Sequence, residues 1–158
     1  MTEAKKLDVT YSILPPTANN IYVRGSILKP QARQYKETFR KYLHENYGHV
    51  IQELPDPKKD PNIVYRIFLY FYMNCLNESW NNPKIHKSRR ADSRYKRIDL
   101  TNRVKFFEDC IRDAVDIDDS LTFSATMFKI QSSVDSVRFI LEVASPTEYG
   151  VPIVDAQP

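Results

Sequence analysis

Glycine is scarce in this sequence: only 3 of the 158 residues are glycine, namely Gly25, Gly48 and Gly150. None of the three belongs to a G-x-G or GK[ST] pattern, so the chain has no glycine-rich loop that could hold a phosphate. This absence argues strongly against a Rossmann or P-loop enzyme. Proline, with 10 residues, is frequent by comparison and marks the loops.

Cysteine and long apolar runs are also in short supply. Cys75 and Cys110 lie far apart, form no CxxC pattern and have no zinc spacing with the three histidines. We interpret them as buried thiols in a reducing cytosol. The longest apolar run, residues 63–73, is too short for a membrane helix and contains Arg66. The N-terminus lacks the apolar core of a signal peptide. We therefore expect a soluble, cytoplasmic protein without a membrane partner.

Net charge gives little guidance, since it is only +3. A case for nucleic-acid binding must therefore rest on where the charges lie. The chain is long enough for one domain with one core, and its 42% hydrophobic content is typical of globular proteins.

Hydrophobic periodicity predicts an α+β fold: a single domain with a mixed sheet of about four strands, helices packed against it, and the element order β-α-β-α-β-β. We expect a loop over 15–30, a helix N-cap at Thr101, and a hairpin formed by the last two strands. The predicted strands are 7–14, 63–74, 121–131 and 136–144, and the first helix is 31–48. The domain is expected over 1–145, with an irregular arm over 146–158.

Acidic residues flank the second predicted helix. Asp99 precedes it, while Asp118 and Asp119 follow its far end. Divalent-metal nucleases need such carboxylates because Mg²⁺ prefers hard oxygen ligands. Lys105, one turn after Thr101, could hold the phosphate. Alternatively, Asp99 only complements the helix dipole and the "DIDDS" segment is a solvated turn.

A long polar loop between the second predicted strand and this helix carries most of the clustered positive charge. Trp80, His86 and Tyr95 are interleaved with its cations, so the loop could neutralise phosphates while its rings stack on exposed bases. A solvated flexible loop is the alternative, and a phosphopeptide or RNA partner also stays open. The cations are Lys84, Lys87, Arg89, Arg90, Arg94, Lys96 and Arg97.

Taken together and in this order, the motifs resemble the RusA family of Holliday-junction resolvases, over residues 9–143. The family signature is a basic run followed by D-x-D-N-x-x-K, and later a paired aspartate. "DLTNRVK" matches at Asp99, Asn102 and Lys105, and "DD" matches at Asp118 and Asp119. "LPPTANNIY" resembles the N-terminal motif of the family through Asn19 and Asn20.

The resemblance implies a homodimeric endodeoxyribonuclease, of a type often encoded by phages and prophages, that resolves four-way DNA junctions in recombination and repair. It implies that Asp99, Asp118 and Asp119 hold Mg²⁺, with Mn²⁺ as a substitute, and that Lys105 assists catalysis. It also adds Asn20 and Asn102 to the basic loop residues as expected DNA contacts.

Two departures from the family pattern stand out. Thr101 occupies the place of the second aspartate, and the basic loop is much longer than the short link of the family. The first departure keeps open an alternative: a catalytically weak or inactive protein that binds branched DNA on the same scaffold. An unrelated RNA-binding or interaction domain is a third interpretation, and such a domain would show no preference for branched DNA.

Overall fold

The longest apolar run of the chain forms the centre of a mixed four-stranded sheet. In this computed structural model, which describes residues 6–17, 20–25 and 27–155 without the side chain of Asn102, strand β4 (Val64–Met73) lies between β6 (Ser136–Ala144) and β5 (Thr122–Gln131). β4 runs antiparallel to β6 and parallel to β5. Strand β1 (Lys6–Tyr11) pairs antiparallel with the other side of β6. The strand order is therefore β1-β6-β4-β5, with β5 at one edge.

Two helices, α1 (Pro30–Glu53) and α2 (Thr101–Val115), cover one face of the sheet. Side chains alternate along a strand, so every second residue of β4 from Tyr65 to Met73 is buried beneath the helices. Phe107 of α2 packs against Phe39 of α1 and Phe71 of β4, with ring centroids 5.2 and 6.0 Å apart. These contacts confirm the predicted α+β fold with helices packed against a mixed sheet.

The predicted hairpin of the last two strands is wrong. β5 and β6 do not pair with each other, because β4 lies between them. The short connection between them crosses the end of β4, where the Ser132 backbone N–H donates to the Met73 carbonyl at 3.0 Å. The apolar central strand β4 therefore has a neighbouring strand on each side, and the more exposed β5 lies at the edge of the sheet. β4 and β5 are instead joined by a crossover through α2, as a parallel pair requires.

Smaller differences concern element ends. The predicted loop over 15–30 contains a short antiparallel ribbon, β2 (Tyr22–Arg24) with β3 (Ile27–Leu28). Helix α1 continues past Gly48 to Glu53, because Val50 and Ile51 of its last turns pack on the core. The first strand ends at Tyr11 instead of residue 14.

Both cysteines are buried, as predicted, and burial raises the pKa of Cys110 to about 12. Within the described part of the chain, neither helix is apolar enough over a sufficient length to span a membrane. The chain after β6 forms a short 3-10 turn, Pro146–Tyr149, and then runs past the start of β4. Asn62 pairs there with the backbone of Val154 through two hydrogen bonds of 2.7 and 2.8 Å. The proposed domain boundary at residue 145 stays a prediction.

Candidate active site

Asp99 lies at the N-terminal mouth of α2, where its side chain is exposed. Its Oδ1 accepts the Thr101 backbone N–H at 2.8 Å. Thr101 is the first residue of the helix and Leu100 is its N-cap, so the prediction of Thr101 as N-cap is wrong. The physical reason is that Asp99, two residues earlier, already supplies an oxygen to one of the free N–H groups of the first turn. This bond fixes the carboxylate where the helix dipole favours negative charge.

Cations surround this mouth. Lys105 is exposed one turn into α2, on the same side as Thr101. Lys96 and Arg97 are exposed just before Asp99. Lys129, near the end of β5, was not predicted here; its Nζ donates to the Ile98 carbonyl at 3.5 Å. Only the pairing of β5 with β4 brings it here, since it lies 30 residues away in the sequence. The site can therefore place one carboxylate beside several phosphate-binding groups.

Asp118 and Asp119 follow α2 and lead into β5 through a 3-10 turn, Asp119–Leu121. Asp118 Oδ1 accepts the Ser120 backbone N–H at 2.9 Å. Hydrogen bonds from Ser120 hold the pKa of the Asp118 carboxyl below its ordinary value. Both carboxylates are exposed. Both side chains are therefore accessible to a cation, and the lowered pKa favours the charged form of Asp118.

The surroundings of this aspartate pair are more acidic than the "DIDDS" segment alone indicates. The same open hollow is lined by Lys36, Asp109, Arg112, Asp113 and Asp116. Ion pairs neutralise two of these acids: Arg112 with Asp109 at 2.6 Å and Lys36 with Asp113 at 3.6 Å. None of the described cations lies within 4 Å of Asp118 or Asp119. The helical spacing of these additional acids was the signal in the sequence that could have located them.

Asp99 and the Asp118–Asp119 pair lie at opposite ends of α2. A helix of 15 residues is about 22 Å long at 1.5 Å per residue. The strands agree, because Asp119 begins the 3-10 turn that leads into β5, whereas Lys129, near the other end of β5, donates to the carbonyl of Ile98, the residue before Asp99. In the part of the chain that the structure describes, no three His, Cys, Asp or Glu side chains form a group that could hold a metal ion. One chain therefore keeps the predicted ligands apart.

The long basic loop is ordered by hydrogen bonds at its base. Leu76 and Tyr95 form an antiparallel bridge. The Asn77 N–H donates to the Arg94 carbonyl, and the Lys96 N–H donates to the Cys75 carbonyl, both at 2.9 Å. These bonds extend the end of β4 by a short two-stranded neck. The neck therefore fixes both ends of the loop, and Lys96 of the neck lies three residues before Asp99.

The loop cations fall into different environments. Arg90 is half-buried, and its Nε donates to the Ile85 carbonyl at 2.9 Å, so it stabilises the loop itself. Arg94 contacts the aromatic rings of Trp80 and Tyr95. Lys96 and Arg97 lie at the end of the loop, just before Asp99. Three further exposed cations lie in or near a 3-10 turn, Lys87–Arg89, and we refer to them as the loop-tip cations: Lys84, Lys87 and Arg89.

The structure says less about Asn20 and Asn102, the two asparagines that are expected to contact DNA. Asn20 is exposed, and its Nδ2 donates to Thr17 Oγ1 at 3.1 Å, which stabilises the turn before β2. The side chain of Asn102 lies outside the described part of the chain, as does Asn19.

Comparison with protein families gives one match. The family model of endodeoxyribonuclease RusA matches residues 14–142, which is most of the chain and includes both groups of aspartates. No protein with a curated description matches the sequence.

Proposed function

Because this chain belongs to the RusA family of endodeoxyribonucleases, whose members resolve Holliday junctions, we propose that it is a Mg²⁺-dependent endonuclease that cuts four-way DNA junctions during recombination and repair. The observation that carries the proposal is the mouth of α2: an exposed carboxylate, Asp99, held by the Thr101 N–H among exposed cations. The family assignment supports DNA cleavage as the reaction, and the mouth of α2 provides a carboxylate and cations suited to that reaction.

The residues present fit a divalent cation. Asp99, Asp118 and Asp119 offer exposed carboxylate oxygens, the ligands that Mg²⁺ and Mn²⁺ prefer. A bound ion supplies an activated water and neutralises charge on the scissile phosphate. Lys105 would hold a phosphate oxygen and stabilise the charge that develops there. Lys96, Arg97 and the loop-tip cations would hold the neighbouring DNA backbone.

A homodimer reconciles this metal site with the separation of its ligands. Ligands of one ion lie within a few ångström of one another, so Asp99 and Asp119 of a single chain are too distant to share one. They lie at opposite ends of β5. If β5 pairs antiparallel with β5 of a second copy, the start of one strand lies beside the end of the other. Asp99 of each chain then approaches Asp118 and Asp119 of the second copy, and two-fold symmetry supplies two sites for two DNA strands.

The exposed state of β5 supports this pairing. It is a ten-residue strand at the edge of the sheet. Large apolar side chains are exposed on both of its faces, with Met127 at 49% and Phe128 at 42%. An exposed, long, apolar edge strand is a template for pairing with another chain. A Thr126→Pro variant, which cannot donate a ladder hydrogen bond at mid-strand, is expected to sediment as a monomer and lose cleavage. A dimer unchanged by this substitution would argue against the β5 edge.

Thr101 favours a second candidate function. Threonine stands where the family pattern has an aspartate, and its hydroxyl is a poorer ligand for Mg²⁺ than a carboxylate. The chain would then be a weak or inactive nuclease that binds branched DNA through the same cations.

Cleavage of a synthetic four-way junction separates the two candidates. We expect cutting that requires Mg²⁺, and a loss by orders of magnitude in Asp99→Asn and Asp119→Asn while junction binding survives. Asp60→Asn is the matched control, because Asp60 makes the same carboxylate bond to the N–H two residues on, at 2.8 Å, in the connector before β4. Junction binding without any cutting by the wild type would support the binding protein, and full cutting by Asp99→Asn would exclude the proposed site.

A further inference from the structure

Two aromatic rings of the basic loop flank one arginine. The Arg94 guanidinium carbon lies 5.9 Å from the centre of the Trp80 ring and 5.8 Å from the centre of the Tyr95 ring. Both rings stay accessible, Trp80 at 38% and Tyr95 at 58% exposure. Cation–π contact orients the two rings relative to each other but leaves much of their area in water. These are among the largest exposed aromatic side chains of the described chain, and the metal site does not use them.

The backbone holds this cluster in place. Tyr95 belongs to the neck through its bridge with Leu76, and its own N–H donates to Ser93 Oγ at 3.2 Å. The Trp80 N–H closes a turn onto the Asn77 carbonyl at 3.1 Å. Asn77 also donates through its side chain to the Ser93 and Tyr95 carbonyls, at 2.7 and 3.1 Å. Both rings are therefore attached to the same hydrogen-bonded neck, so a ligand that stacks on them would order little additional chain.

The chemistry of this cluster suits an unpaired nucleobase. Aromatic and guanidinium planes stack on any base, whereas bases inside a duplex are already stacked on their neighbours and are not available. The neighbouring loop-tip cations can hold the phosphates on either side. Building on the proposed DNA-binding function, we propose that Trp80, Arg94 and Tyr95 form a stacking platform for unpaired bases. The platform makes this loop prefer branched or single-stranded DNA over plain duplex.

The chain carries its own probe, because Trp80 is its only tryptophan. Tryptophan fluorescence therefore reports on the platform alone when it is excited where tyrosine does not absorb. We expect it to be quenched by a single-stranded oligonucleotide and by a four-way junction with unpaired bases at its centre, and not by a blunt duplex of the same length. The anisotropy of labelled DNA measures binding independently. Equal quenching by all three DNAs, or none by any DNA that binds, would overturn the platform.

Substitutions test the same point by affinity. Trp80→Leu and Tyr95→Leu should each weaken single-strand binding by roughly tenfold, since stacking is typically worth about 1–3 kcal/mol per base, and should leave duplex affinity nearly unchanged. Tyr95→Phe keeps the ring and is the matched control, with near wild-type affinity. A thermal midpoint close to that of the wild type checks that each variant folds. Equal losses for single strand and duplex would mean that the rings only support the loop.

The outcomes separate this inference from the proposed nuclease. Selective quenching by single strands in a protein that never cuts DNA would retain the platform and reject the catalytic proposal. Metal-dependent cutting by a protein whose Trp80 fluorescence does not respond to unpaired bases would retain the nuclease proposal and reject the platform. Failure to bind any DNA at low salt would reject both.

Discussion

Asp99 has two separable roles, one in folding and one in the proposed chemistry. Its Oδ1 accepts the Thr101 N–H at 2.8 Å, a bond that Asn can make through its side-chain oxygen and Ala cannot. Removing a side chain that accepts an N–H of the first helical turn costs about 1 kcal/mol, which lowers the thermal midpoint of a domain of this size by about 2–4 °C. Asp99→Ala should show this loss, and Asp99→Asn should stay much closer to the wild type. The charge required by Mg²⁺ is absent from both variants.

Thermal unfolding and junction cleavage are measured on the same preparations of the three proteins. We expect Asp99→Ala and Asp99→Asn to be equally inactive, and Asp99→Asn to be the more stable of the two. If Asp99→Asn were destabilised as much as Asp99→Ala, the hydrogen bond to the Thr101 N–H would not be what stabilises the first turn of α2. If Asp99→Ala were inactive but Asp99→Asn cut normally, the side chain would act by positioning the helix, and the proposal of a charged metal ligand would fail.

Further predictions concern Thr101, the loop-tip cations and the Asp8–Arg138 ion pair. Thr101→Asp adds a carboxylate at the helix mouth and should lower the Mg²⁺ concentration needed for half-maximal cleavage; an unshifted midpoint would place Thr101 away from the metal. Replacing the three loop-tip cations by Ala should flatten the salt dependence of junction binding by roughly 1 unit of slope per lost phosphate contact, with little change in thermal midpoint; an unchanged slope would mean that the loop faces away from DNA. The hydrogen bond from Arg138 lowers the pKa of Asp8, so the pair stabilises the fold above the unfolded pKa of Asp8 and this stabilisation is lost as pH falls through the folded pKa. The acid-induced drop in thermal midpoint should therefore be smaller in Asp8→Asn than in the wild type, and equal drops would contradict this assignment.

The elements of the fold followed well from periodicity, but their pairing did not. The strand over 136–144 and the central apolar run were located almost to the residue, because alternation and burial are local properties of the sequence. Which strands are neighbours depends on the whole sheet. The predicted hairpin was the shortest connection available. The apolar strand β4 is nevertheless more completely covered between two strands than it would be at an edge of the sheet.

The same limit applies to the candidate site. The position of Asp99 at the mouth of a helix could be predicted from a basic run followed by an amphipathic pattern. Its distance from Asp118 and Asp119 could not, since that distance depends on how the strands after Asp119 pair with the rest of the sheet. The hydrogen bonds that close the basic loop could not be predicted for a similar reason. Its composition is typical of a solvated loop, but the bonds that close it join residues such as Asn77 and Arg94, which are far apart in the sequence.

The central claim is that Asp99 and Asp119 act together in a metal site that two chains share. Its most direct test mixes two inactive variants, Asp99→Asn and Asp119→Asn, under conditions in which subunits exchange. Each mixed dimer would contain one site with both carboxylates intact, so an equal mixture should recover about a quarter of the wild-type sites by random pairing in a two-fold dimer. Mg²⁺-dependent junction cleavage should therefore return. The double variant mixed with either single variant is the control and should stay inactive. A mixture of the two single variants that remains inactive despite subunit exchange would contradict the shared site.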